Sequence, residues 1–63
     1  MFYHYLTYWE DGRMVNKMFG SCADNIDDAC RERCKIAALY HPNEIVCLTT
    51  HNVGTGPVYS KEN

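Results

Sequence analysis

The stretch that decides the fold is Phe2–Phe19, FYHYLTYWEDGRMVNKMF. It holds three of the five tyrosines, the only tryptophan and both phenylalanines, and it meets no charge before Glu10. Aromatic enrichment bounded by a turn signal predicts a β-strand over Phe2–Trp9. Asp11-Gly12 is a strong two-residue hairpin signal, because a type I′ turn needs positive φ at both central positions. Arg13–Phe19 is then the return strand. A tight turn sets the register: Glu10 opposite Arg13, Trp9 opposite Met14, Tyr8 opposite Val15, Leu6 opposite Lys17 and Tyr5 opposite Met18. The Glu10–Arg13 pairing of opposite charges favours that register.

Side chains alternate across a sheet, so the hairpin sorts its residues onto two faces. Phe2, His4, Leu6, Tyr8, Val15 and Phe19 share one face, and Tyr3, Tyr5, Thr7, Trp9, Met14, Asn16 and Met18 share the other.

Downstream, Gly20-Ser21 breaks the strand, and Ser21 followed by Asp24 predicts a helix start with the hydroxyl as cap. Asp24, Asp27 and Asp28 suit the positive end of a helix dipole. No Gly or Pro falls between Cys22 and Tyr40, and Pro42 stops the run. At 100° per residue, Ile26, Cys30, Arg33, Ala37 and Tyr40 line one side, flanked by Ala29 and Cys34, while Asp24, Asp28, Arg31, Glu32 and Lys35 line the opposite side. Glu44–Thr50 (EIVCLTT) predicts a third strand, with Val46 and Leu48 on one face and Ile45 and Cys47 on the other. The expected architecture is a two-layer α+β domain, ββαβ, with one helix on a three-stranded antiparallel sheet of order 2-1-3. It is expected to span residues 1–59, with Asn52–Gly56 as a flexible loop, Val58-Tyr59 as a short edge strand or a partner contact, and 60–63 as a frayed tail.

Sixty-three residues amount to one domain with a thin stability margin, a size at which disulfides, a metal or a partner subunit commonly help. Six cations against eight anions, with no basic stripe, argue against a duplex nucleic-acid binder. The longest apolar run is too short to span a bilayer, and no secretory leader is visible, so a complete, cytoplasmic chain is expected.

The four cysteines, Cys22, Cys30, Cys34 and Cys47, contain no CxxC. Cys30 and Cys34 lie one helical turn apart, and with Cys47 and His51 (or His41) they are the one set of zinc donors to weigh. The preferred reading is that they are reduced, buried small hydrophobes, with no cofactor and no metal. A nucleophile from Cys34 or Cys47 with His41 or His51 and Asn52 has little room in so small a domain, so no catalytic residue is assigned and no enzyme is expected. The Asn52–Gly56 stretch lacks a phosphate-loop lysine and a following helix. His4 alternates onto the core side, as a histidine with a satisfied ring.

The aromatic surplus is the functional lead. One helix covers one face of the sheet. If it covers Phe2, Leu6, Tyr8, Val15 and Phe19, then Tyr3, Tyr5, Trp9, Met14 and Met18 face out as an apolar patch of the kind that marks an interaction surface; the converse packing would expose Phe2, Leu6 and Phe19. The expected partner is a protein, either a different chain or a second copy in a homodimer, with single-stranded nucleic acid the lesser choice because an electropositive groove is lacking. By size class alone, compact acidic chains that act only by binding include virus-encoded inhibitors of bacterial defence complexes, such as anti-CRISPR proteins, and this chain is read as a small binding protein of that kind or as a homodimerising adaptor.

Overall fold

The hairpin forms as the turn chemistry requires. Asp11 and Gly12 have φ of 53° and 77°, the two positive values of a type I′ turn. They join β1 (Phe2–Glu10) to β2 (Arg13–Gly20), and the ladder runs without a break from Glu10–Arg13 to Tyr3–Gly20 in the expected register. The computed structural model describes residues 1–62. The chain continues through helix α1 (Ile26–Ala38), a single 3-10 turn at Pro42–Glu44, β3 (Ile45–Asn52) and β4 (Gly56–Glu62).

The sheet is antiparallel and has four strands in the order β2-β1-β3-β4, not three. The inner order 2-1-3 is as expected. The added strand starts at Gly56, whose φ of 95° lets the chain reverse, and includes the Val58-Tyr59 pair. It runs on through 60–62, the residues expected to form a tail, while Asn63 lies outside the described residues. The expected flexible loop is instead a tight turn. Asn52 Oδ1 accepts from Gly54 N at 2.9 Å, and the Asn52 carbonyl accepts from Thr55 N at 3.1 Å. Among the described residues no helix is long and apolar enough to cross a membrane.

Helix α1 lies on the face that carries Phe2, His4, Leu6 and Tyr8, all four of them buried. Leu6, Tyr8, Ile36, Ile45 and Leu48 form the core, with Val15, Phe19, Ala37 and Tyr40 packed around it. The Tyr8 and Tyr40 rings meet at 4.6 Å with a 46° tilt. The Tyr8 hydroxyl donates to Glu10 Oε2 at 3.0 Å, and that bond, then desolvation and the Glu10 charge, push its pKa up to about 12.

Three local expectations are corrected. The helix is capped by Asn25, whose side chain accepts from Asp28 N, and not by Ser21. Ser21 closes a short turn by accepting from Ala23 N and directs its hydroxyl elsewhere. The buried helical stripe is turned toward Ala29, Glu32 and Ile36, leaving Ile26 exposed, because the helix sits over β1 and β3 where Glu32 has a buried partner. Finally, Thr7 pairs with Cys47 but Tyr8 pairs with Ile45, so Val46 is an extra residue in a β-bulge. The bulge swings Ile45 into the core beside Leu48, although strict alternation places the two on opposite faces.

Leu6 is fully buried at the centre of this packing. Leu6→Ala is expected to cost about 3 kcal/mol and to lower the thermal midpoint by about 15 °C. Exposed Met14→Ala should stay within about 0.5 kcal/mol of the parent. Thermal melts followed by circular dichroism check both.

Candidate functional site: the open sheet face

Because α1 covers the Leu6 face, the alternate residues of β1 and β2 form the open one. The ladders arrange them in rows. Trp9 sits beside Met14 at the turn end. Next comes Thr7, with Asn16 on one side and Cys47 on the other. Tyr5 follows between Met18 and Thr49, and Tyr3 lies between Gly20 and His51. Trp9, Met14 and Met18 are 44%, 54% and 66% exposed, and Tyr5 is also exposed. Tyr3 is half-buried because its ring stacks flat on His51, with centroids 4.7 Å apart and planes within 4°.

The five expected contact residues Tyr3, Tyr5, Trp9, Met14 and Met18 therefore share one face, though the patch is not uniformly apolar. A polar row crosses it, in which the Thr7 hydroxyl donates to Asn16 Oδ1 at 2.8 Å. Two apolar rows flank this bond, each about 7 Å from it by strand geometry. From β1 to β3 the face carries no Lys, Arg, Asp or Glu.

The zinc donors weighed from the sequence are not brought together. Cys47 and His51 lie on the open face four residues apart along one strand, about 13 Å. Cys30 and Cys34 belong to α1, on the other side of the sheet. Among the described residues no three His, Cys, Asp or Glu side chains converge as a metal site. The thiol–imidazole pairings fare no better. His41 caps the 3-10 turn, its Nδ1 accepting from Asn43 N at 3.2 Å, while His51 is committed to Tyr3 and Asn52 to the β3–β4 turn.

A cluster that sequence reasoning missed lies under the helix. His4 and Thr50 are both fully buried and joined by His4 Nδ1 to Thr50 Oγ1 at 2.8 Å. His4 Nε2 meets Glu32 Oε1 at 3.0 Å, and Arg33 Nη1 donates to Thr50 Oγ1 at 3.2 Å. Glu32 also accepts from the Ser21 hydroxyl and, at 2.9 Å, from Cys22 N. An ionised carboxylate only accepts, so Nε2 carries a proton toward Glu32. The Ser21 hydroxyl, then His4, with help from Cys22 N, holds the Glu32 carboxyl down to about 2 despite the opposing effect of burial. The chain hydroxyl–imidazole–carboxylate has the composition of a nucleophilic triad. With Thr50 and His4 both closed to solvent, no substrate reaches it. It is a clamp that ties β1, β3, α1 and the β2–α1 loop together. The signal in the sequence is a histidine on a core-facing strand position, which demands partners for both nitrogens. Glu32, read as an outward carboxylate, is one of them.

Glu32→Ala leaves a buried imidazole nitrogen unpaired, at an expected cost of about 2–3 kcal/mol. The folded Glu32 pKa lies below its unfolded value, so its contribution is fully present above about pH 4.5 and fades as pH falls toward 2. Acid titration of stability by urea melts should show that loss in the parent protein and less of it in Glu32→Ala.

In comparisons with known proteins, no protein family, no curated protein and no solved structure matches this chain.

Proposed function

We propose that this protein works by binding another protein through the open face of its sheet, with Trp9, Met14, Tyr5 and Met18 as the contact centre and Tyr3, held by His51, at its border. The observation that carries this reading is the exposure of Trp9, Met14 and Met18 side by side on a face the chain's own helix leaves bare. Tyr, Trp and Met are the residues enriched at interface cores, where a few buried aromatics supply most of the affinity. The Thr7–Asn16 row gives the face fixed polar atoms between two apolar ones, which suits a partner strand or helix that alternates in the same way.

The absence of cations on this face from β1 to β3 favours a protein over a single nucleic-acid strand, since base-stacking platforms depend on positive charge to hold the backbone. Catalysis has little support, because the one hydroxyl–imidazole–carboxylate chain is sealed. A chain of this size that acts by occupancy fits an inhibitor that covers a working surface of a larger complex, in the manner of virus-encoded inhibitors of host defence. Size class carries that narrower reading, and a cytoplasmic setting goes with it.

The single tryptophan is a built-in reporter of the face. On partner binding, Trp9 emission is expected to shift to the blue. Trp9→Ala and Met18→Glu should each weaken binding by about 2 kcal/mol or more while leaving the circular dichroism spectrum unchanged. Variants that fold and bind as the parent does would overturn the proposal.

A further inference from the structure

The two free edges of the sheet are built differently. β4 carries Pro57, which has no amide to donate, and an extra residue at Val58 that shifts its pairing with β3. Both are devices that blunt an edge against strand addition. β2 has neither. Its eight residues contain no proline, its ladder with β1 has no shift, and Arg13, Met14, Asn16, Lys17 and Met18 are all exposed.

Which β2 backbone groups are free follows from the turn. The pair flanking a two-residue hairpin loop is hydrogen-bonded, and bonded and non-bonded pairs alternate from there. Arg13, Val15, Lys17 and Phe19 therefore spend their amides and carbonyls on β1, and Met14, Asn16 and Met18 point theirs outward. We propose that a second copy of this chain pairs with β2 along this edge, antiparallel, in the register centred on Asn16.

Strand length and charge together select that register: the centre at Asn16 pairs the whole of Arg13–Phe19, and charge disfavours the two neighbouring centres. With Asn16 opposite Asn16 of the second copy, Met14 faces Met18, Val15 faces Lys17 and Arg13 faces Phe19, and no two like charges oppose. Moving the centre to Val15 sets Arg13 against Lys17, and moving it to Lys17 sets the two Lys17 side chains against each other. Both are unfavourable cross-strand pairs. Lys17, already lying 5.2 Å from the Phe19 ring centroid of its own chain, thus acts as a register selector.

A two-fold axis through Asn16 stands perpendicular to the sheet, so both helices fall on one side and both open faces on the other. The result is one eight-stranded sheet with the four methionines at its centre. Three strands of one protomer present about 400 Å² of sheet plane. Pairing doubles it, toward the ~800 Å² per partner that stable interfaces bury. The edge pairing thus goes beyond the binding role of the open face and enlarges that face without covering it.

Sedimentation equilibrium of the full chain is the test. The parent is expected at twice the chain mass, and Trp9→Ala, on the open face, is expected to remain a dimer. Asn16→Pro removes both hydrogen bonds of the central pair and the Thr7–Asn16 side-chain bond but leaves the backbone hydrogen bonds to β1 in place, and it should sediment as a folded monomer. Charge pairs at the two exposed methionines report the register independently should the proline variant unfold. Met14→Lys with Met18→Lys opposes like charges twice and should weaken the dimer about tenfold or more. Met14→Lys with Met18→Glu opposes unlike charges and should restore it in a salt-sensitive way. A monomeric parent at every concentration overturns the proposal, as does a folded Asn16→Pro dimer. Loss of the dimer in Trp9→Ala would assign it to face-to-face packing instead, and failure of the Lys/Glu combination to restore it would overturn the register.

Discussion

Two positive φ angles at Asp11 and Gly12 hold the structure in register. A strand places successive side chains on opposite faces, so a slip of one residue at that turn would send Val15 and Phe19 to the open face and Met14 and Met18 to the helix side. Everything laid on the hairpin depends on this parity. β3 adds to the second edge of β1 in the register that puts Leu48 beside Leu6 and Thr50 beside His4, and α1 closes over the same four residues.

The layer beneath the helix combines an apolar core with a polar clamp. Leu6, Ile36, Ile45 and Leu48 supply burial. At the other end of the helix, His4 and Thr50 occupy fully buried positions and are tolerated only because each polar atom has a partner. Glu32 is the hub, joining the helix to His4 on β1 and to Ser21 and Cys22 in the loop that leads into it. In a domain this small, such a network fixes one docking of the helix where apolar contacts alone would accept several. On the opposite face the described residues make lighter commitments, the Thr7–Asn16 bond, the Cys47–Thr49 contact and the Tyr3–His51 stack among them. The same alternation that fills the core thus leaves a set of large side chains without cover.

Hairpin, register, face sorting and the inner strand order were legible from Phe2–Phe19 and Glu44–Thr50, because turn chemistry and period-two patterning are local. The residues set aside as contacts do lie together on the open face. The corrections share a cause, namely dependence on partners distant in sequence. Ile45 enters the core because of a bulge against Tyr8, and nothing in EIVCLTT marks it. Ser21 resembles a helix cap until Glu32, eleven positions on, is seen to take its hydroxyl. Glu32 itself reads as a solvated carboxylate on any helical wheel.

By itself, then, the sequence determined the parity of the hairpin, through two residues able to adopt positive φ, and with it the two sets of side chains. It did not determine which set would lie under the helix, since both are rich in aromatics. Tertiary structure decided that. Only the His4 face offered the carboxylate and hydroxyls of Glu32, Ser21 and Thr50 as partners for a buried imidazole, and only that face met Leu48 and Ile45. Trp9, Met14 and Met18 were left outside because the satisfied set went in.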